Sequence, residues 1–283
     1  MPLVTSKGML LDAQKGNYAV GAFNVENMEM VMAVVEAAQE MQSPVILQTT
    51  PSTVRYAGFN LYYANVKSVA ERATVPVALH LDHGSSFELA VQALREGYTS
   101  IMIDGSQLPW EENTGLTKRV VEACRPCRVP VEAELGCVGG KEDGRSSRNS
   151  GLTSPAQAAE FVEKTGIDFL AVAIGTSHGV YKGPPRIRLD LLGEIKKCVP
   201  VPLVLHGTSG VEDEVVRSCI QEGICKVNYA TDLRIAFSEG VKRILNEDSS
   251  VIDPKIYGKM GKELVKRYVQ DKIWVCKSSG RGF

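Results

Sequence analysis

Four histidines occur in this 283-residue chain, and three of them, His83, His178 and His206, lie far apart in sequence. Each of the three sits just past a short apolar run and is followed directly by glycine. Neutral imidazoles delivered from three separate strand ends make an open metal site, in which water or substrate takes the remaining position. The glycines let backbone approach a ligand closely. The fourth histidine, His80, stands in HLDH (80–83). On an extended strand residues 80 and 83 point to opposite faces, so His80 is expected to be structural or to support the site from behind.

Other polar residues recur where apolar runs end: Asn24, Gln48, Asp82, Asp104, Glu132, Glu134 and Asn228. Any one of them alone reads as a turn former or a helix cap. Their occurrence on nearly every run is harder to explain structurally and points to one shared site. Glycine-rich turns add an anion signal. Gly179 follows one run, Gly207-Thr208-Ser209-Gly210 another, and Asn228-Tyr229-Ala230-Thr231 leads into a helical stretch. Backbone N–H groups in such turns and at helix N-termini bind phosphate, and Lys182 in GVYKG supplies local positive charge.

A metal beside a carboxylate and a phosphate grip defines a reaction class. A Lewis acid polarises a carbonyl and stabilises an enediolate, and a carboxylate such as Asp82 moves the proton of a substrate hydroxyl. Reversible aldol chemistry on a phosphorylated ketose needs these parts. Metal-assisted hydrolysis and isomerisation need similar ones, so the residues alone leave the three open.

The elements that must position these groups are eight short, β-branched runs: 18–24, 44–49, 75–82, 100–104, 129–135, 168–175, 201–207 and 224–228. Between them lie stretches with helical periodicity, in which Val31, Val34, Val35 and Ala38 share a face, as do Val215, Val216, Cys219 and Ile220. Ser85 and Glu88 read as a capping box with Gly97 as the stop; Ser154-Pro155 starts a helix that Gly166 ends. Alternating strands and helices, with strands apolar throughout, predict an α/β fold: a (β/α)8 TIM barrel in one domain, 1–283. Residues 5–15 read as an extra N-terminal helix closing the barrel bottom, and 254–272 as a C-terminal helical extension. The glycine-rich segment 136–153 is too long for an idle connection and is a candidate active-site lid.

Lys and Arg number 32 against 33 Asp and Glu, which leaves no global field for nucleic acid or anionic lipid. No apolar run approaches transmembrane length, and the N-terminus lacks the pattern of a secretory signal. Seven scattered cysteines then suggest reduced thiols in a cytoplasm. Cys124 and Cys127 form a CxxC without a second pair, a weak signal for redox or zinc chemistry.

Six motifs together resemble the class II, zinc-dependent ketose-bisphosphate aldolases: HLDHG (80–84), MIDGS (102–106), VEAELGCVGGKEDG (131–144), LAVAIGTSHGVYKG (170–183), LVLHGTSG (203–210) and CKVNYATDLRIAF (225–237). The likeness runs over essentially the whole chain. It implies that His83, His178 and His206 hold a catalytic Zn2+, that Asp82 handles the proton on the C4 hydroxyl, and that Glu142 is the acid/base at C3. It implies that Asp104 and Glu134 support the ligands or touch the metal in a second position. Gly179, Lys182, Gly207, Thr208, Ser209, Asn228, Tyr229, Ala230 and Thr231 would hold dihydroxyacetone phosphate, and Asn24 would orient substrate. Gln48 joins the substrate-facing set. A monovalent cation, Na+ or K+, near the phosphate turn and a homodimer or homotetramer are also implied, with the C-terminal helix as a plausible interface.

Within the family, TSPAQAAEFVEKTGIDFLAVAIGT (153–176) and the ending VCKSSGRGF resemble the tagatose-bisphosphate branch. Gly84 after Asp82-His83, and Gln48-Thr49-Thr50, are more similar to the fructose branch. Where the family often carries arginine for the distal phosphate, this chain has Lys255, which lacks arginine's bidentate fork. The expected reaction is cleavage of tagatose 1,6-bisphosphate to dihydroxyacetone phosphate and glyceraldehyde 3-phosphate. The alternatives are fructose 1,6-bisphosphate, another phosphorylated ketose, or a non-catalytic subunit stabilising an aldolase; an accessory subunit of that kind is also a conceivable partner for this chain.

Overall fold

The computed structural model describes residues 3–142, 145–147, 151–179, 181, 183 and 185–282, excepting the side chains of 141–142 and 145–147. Eight of its strands are parallel and close into a barrel: β1 (Val20–Asn24), β2 (Val45–Thr49), β3 (Val77–Gly84), β4 (Ser100–Ile103), β5 (Val131–Leu135), β8 (Phe169–Val172), β10 (Leu203–Leu205) and β11 (Ile224–Tyr229). The three others, β6 (Gly139–Glu142), β7 (Arg145–Ser147) and β9 (Ser177–His178), form a small sheet beside the barrel. Each barrel strand lies within or next to one of the eight apolar runs, so the TIM-barrel expectation is met.

Alternation sorts the strand residues into two cores. Outward side chains such as Val45, Leu47, Leu79 and Ile101 pack under the helices. Inward ones such as Val20, Ala22, Ile46, Ala78, Met102, Phe169, Ala171 and Val204 plug the lower barrel. The N-terminal helix, Ser6–Gly16, closes that end: Met9, Leu10 and Ala13 join the plug, and Ser6 donates to Ser100 at 2.7 Å. The C-terminal helix, Pro254–Val275, packs on the helices Thr231–Glu247 and Met28–Glu40. Lys262 and Lys266 pair with Glu36 and Glu40 along that contact.

Two sequence expectations shift. The cap of the helix Phe87–Arg95 is Ser86, whose hydroxyl accepts from the Leu89 N–H at 3.2 Å, not Ser85. The segment 136–153 is not a plain loop: β6 and β7 pair antiparallel, and β6 pairs parallel with β9 at Gly140 and His178. Ser154 starts its helix as predicted but makes no side-chain capping bond. Among the described residues no helix is long and apolar enough to cross a membrane.

Candidate active site

The upper half of the barrel interior is polar. Asn24, Gln48, Asp82, Glu132, Glu134, His206 and Asn228 are all buried there, with Lys226 among them. Buried polar groups need partners, and these find one another. Asp82 Oδ2 accepts from Asn24 Nδ2 at 2.9 Å and from Gln48 Nε2 at 3.3 Å; its Oδ1 accepts from Asn228 Nδ2 at 3.1 Å. Gln48 also donates to Asn24 Oδ1 at 2.7 Å. Gln48 thus serves as a support for Asn24 and Asp82.

His83 arrives in this interior by a departure from regular strand geometry. His80 and Asp82 share the inward parity of Ala78, so regular alternation would send residue 83 outward. The β3–β4 register jumps between Leu81, which faces Ile101, and Gly84, which faces Ile103. Three residues of β3 therefore span two of β4, a bulge that re-aims a side chain, and His83 takes φ 49°. Gly84 lets the bulge close, since a Cβ there would stand 2.4 Å from the Met102 carbonyl oxygen. The expectation that His80 and His83 diverge fails for this reason. His80 lies on the inner face, with Nδ1 2.7 Å from Ser100 Oγ and Nε2 3.7 Å from Glu132 Oε2.

His83, His178 and His206 converge, with ligand nitrogens all within 4.8 Å of one another. A second set, His83, Asp104 and Glu134, satisfies the same limit and shares His83. Carboxylates behind the rings set their tautomers. Asp104 Oδ2 accepts from His83 Nδ1 at 2.9 Å, and Glu132 Oε1 accepts from His206 Nε2 at 2.9 Å. Each imidazole then offers its other nitrogen as a bare lone pair. Those nitrogens, His83 Nε2 and His206 Nδ1, stand 3.0 Å apart. At that distance the two nitrogens either share a proton or hold one cation between them, and His178 completes the set that a cation would take.

Electrostatics agrees. Burial alone would raise the Asp104 carboxyl, but the hydrogen bonds from His83 and Ser106 oppose it and the carboxyl is held below the usual carboxylate range. Burial likewise opposes ionisation of Glu132, and the Lys226 ammonium with the His206 hydrogen bond outweighs it. Burial lowers the His206 imidazole, offset only partly by Glu132. Both supporting carboxylates are thus held charged, and His206 is held neutral as a ligand must be.

Beside the histidines a small cavity is lined by His178, Gly179, Gly207, Thr208, Ser209, Asn228, Ala230 and Thr231. The helix Thr231–Glu247 begins at its wall, and a helix N-terminus favours an anion. Gly207 has φ 67° and sits where a Cβ would press on the Ser177 backbone at 2.7 Å. Thr208 donates to the Asn228 carbonyl. Tyr229 turns its side chain away: its ring stacks on Phe23 at 5.4 Å and its hydroxyl meets Cys276 Sγ at 3.6 Å, outside the barrel, so only its backbone belongs to the turn. Alternation from Asn228 puts it there. Lys182 and the Glu142 side chain lie outside the described residues. Lys255 stands exposed at the start of the C-terminal helix, ion-paired with Asp253 at 2.8 Å, and is not part of the cavity lining.

Sequence reasoning passed over two residues. Tyr181 accepts from the Ser177 N–H at 2.6 Å and donates to the Gly207 carbonyl at 2.7 Å, tying the His178 strand to the His206 turn. Lys226 sits inside the barrel, 2.9 Å from Glu132 Oε2. Its place two residues before Asn228 was the available signal.

The sequence model for class II fructose-bisphosphate aldolases matches residues 4–281. The chain belongs to that family. It is a metal-dependent class II aldolase, a carbon–carbon lyase acting on a ketose bisphosphate. Solved structures agree with the assignment. The YdjI aldolase of Escherichia coli K12 shares 38% identity at TM-score 0.89, over 99% of this chain and 100% of that one. A Coccidioides immitis protein assigned as a fructose-1,6-bisphosphate aldolase shares 30% at TM-score 0.89, over 97% and 96%. The Campylobacter jejuni fructose-bisphosphate aldolase, at 23% identity, TM-score 0.84 and coverage of 98% and 96%, shares the fold. Metal dependence fits the donor set found here.

Proposed function

We propose that this class II aldolase reversibly cleaves tagatose 1,6-bisphosphate to dihydroxyacetone phosphate and glyceraldehyde 3-phosphate. The observation that carries the site assignment is the convergence of three imidazoles with ligand nitrogens within 4.8 Å of one another, two of the rings held by carboxylates. His83, His178 and His206 would hold the ion, and a three-histidine donor set suits Zn2+. An ion there supplies the Lewis acidity that polarises the ketose carbonyl. Asp104 and Glu134 support the ligands or offer a second position with His83.

The chain's own residues do the rest. Asp82, oriented by Asn24, Gln48 and Asn228, takes the proton of the C4 hydroxyl. The C3–C4 bond breaks, C4 leaves as the aldehyde, and its electron pair stays on the C3 fragment. Glu142, on the strand pair beside His178, returns a proton to C3. Gly179, Lys182, Gly207, Thr208, Ser209, Asn228, the Tyr229 backbone, Ala230 and Thr231 hold the phosphate, with Na+ or K+ beside that turn. The distal phosphate falls to Lys255. We further propose one domain over 1–283, a cytoplasmic location, and a homodimer or homotetramer.

The second reading, fructose 1,6-bisphosphate, is favoured by Gly84 after His83 and by Gln48. The two sugars are C4 epimers, so the choice rests on where that hydroxyl meets Asp82. A retro-aldol assay on both sugars, with and without chelator, decides. Chelator-sensitive cleavage favouring tagatose supports the proposal, cleavage favouring fructose reassigns the substrate, and cleavage of neither sends the search to other phosphorylated ketoses or a missing accessory subunit.

A further inference from the structure

Lys226 is only 1% exposed, on the inner face of β11 two residues before Asn228. A buried ammonium is costly unless paired, and this one faces two groups. Its Nζ lies 2.9 Å from Glu132 Oε2, an ion pair rather than an aligned hydrogen bond, and donates to Asn228 Oδ1 at 2.8 Å. Each contact leads one step further into the active site. Glu132 reaches His206 Nε2 at 2.9 Å, and Asn228 Nδ2 reaches Asp82 Oδ1 at 3.1 Å.

An ammonium only donates. Opposite Asn228 it obliges the amide to present Oδ1 to Lys226 and Nδ2 to Asp82. Opposite Glu132 it favours a carboxylate that accepts from His206 Nε2–H, which leaves His206 Nδ1 bare toward His83. The Nδ2 of Asn228 also lies 3.1 Å from His206 Nε2; with that nitrogen protonated and committed to Glu132, the amide proton goes to Asp82. One fixed charge therefore orders donors and acceptors along both branches.

We infer that Lys226 is a positioning residue that selects both the metal-binding tautomer of His206 and the amide orientation of Asn228 that steers Asp82. It rests on the three-histidine reading above. It adds that the metal site and the proton-transfer carboxylate share one buried anchor, a residue that touches neither metal nor substrate. A lysine serving only to cancel the charge of Glu132 would be dispensable once Glu132 is neutral.

The test compares wild type, Lys226→Met, Glu132→Gln and the double variant Lys226→Met/Glu132→Gln as full-length protein. Metal dissociation constants come from competition with a chromophoric chelator, and kcat and KM are measured at saturating metal. Lys226→Met strands the Glu132 charge and lowers thermal stability; the double variant removes that charge, and Glu132→Gln alone separates loss of the carboxylate from loss of the lysine. In the double variant the expected result is recovered thermal stability, metal affinity weakened about 10- to 100-fold below wild type, the range for lost support of a ligand, and a kcat below that of Glu132→Gln alone. Its kcat should fall with KM nearly unchanged, since Asp82 loses its steering while phosphate contacts remain. In the Co2+-loaded double variant the visible spectrum should broaden as His206 ligation becomes mixed. A double variant whose affinity, kcat and spectrum match those of Glu132→Gln alone would overturn the inference and leave Lys226 a charge balance for Glu132. Wild-type protein that binds no metal would instead sink the three-histidine reading.

Discussion

The lower and upper halves of the barrel interior are built from inward-facing residues with opposite chemistry. Below, Val20, Ala22, Ile46, Ala78, Met102, Phe169, Ala171 and Val204 make an apolar plug closed by Leu10. Above, one or two inward positions further along β1, β2, β3 and β10, stand Asn24, Gln48, Asp82 and His206, joined by Glu132 from β5 and Asn228 from β11. The lower half gains from burial itself, without direction. The upper half has to satisfy each polar atom, so its geometry is set by who can donate to whom. The plug holds the strands; the network aims the groups they carry. Changes below should therefore alter stability with the metal chemistry intact, and changes above should do the reverse.

The sharpest break in that division is His206→Ala. Removing one of three ligands should drop metal content from about one per chain to near zero and abolish cleavage, with elemental analysis and the retro-aldol assay as readouts. Full metal content would refute the ligand assignment. A smaller effect is expected one layer out. Asp104→Ala leaves three histidines but frees the His83 ring, and metal affinity should weaken about 10- to 100-fold by chelator competition. In the plug, Phe169→Ala should cost about 3–5 kcal/mol in denaturant unfolding, with metal affinity in the surviving folded protein unchanged. A parallel loss of affinity would show that the halves are coupled more tightly than their contacts indicate.

The smallest effect concerns pH. Burial holds His80 well below its ordinary value and lowers His206 as well. Below pH about 6.5 the unfolded chain takes up protons that the folded, metal-free protein refuses. The unfolded state then binds more protons, so this stability is present above about pH 6.5 and is lost as pH falls. Each histidine contributes a slope of at most ~1.4 kcal/mol per pH unit. Denaturant melts of metal-free protein between pH 7.5 and 5.5 should show the decline, and His80→Gln should make it shallower. An unchanged slope would mean that His80 protonates as readily in the fold as outside it.

How much of this was legible beforehand divides along similar lines. The eight strands and both terminal helices could be read because continuous apolar runs and 3.6-residue periodicity report burial directly. The approach of His83, His178 and His206 could be read because their type and their place at strand ends carried the chemistry. The bulge that brings His83 inward could not, because it depends on the close approach of Gly84 to the β4 backbone, a tertiary contact with no local pattern. The pairing of β6 with β9 depends on contact between segments about forty residues apart, which no local pattern records. Tyr229 and Lys226 were different. Period-two alternation from Asn228 already places the Tyr229 side chain outside and Lys226 inside, and a lysine at an inward position of an apolar strand marks a buried charge.

The most direct measurement is a metal titration of wild type beside Asp82→Ala, both stripped with chelator and then reloaded. Wild type should regain cleavage in proportion to metal up to one equivalent per chain. Asp82→Ala should bind the same equivalent with similar affinity and remain about 10²- to 10⁴-fold slower, since it keeps every ligand and lacks only the group that takes the hydroxyl proton. Cleavage by the stripped wild type, or full recovery in Asp82→Ala, would contradict the division of labour between the histidines and Asp82.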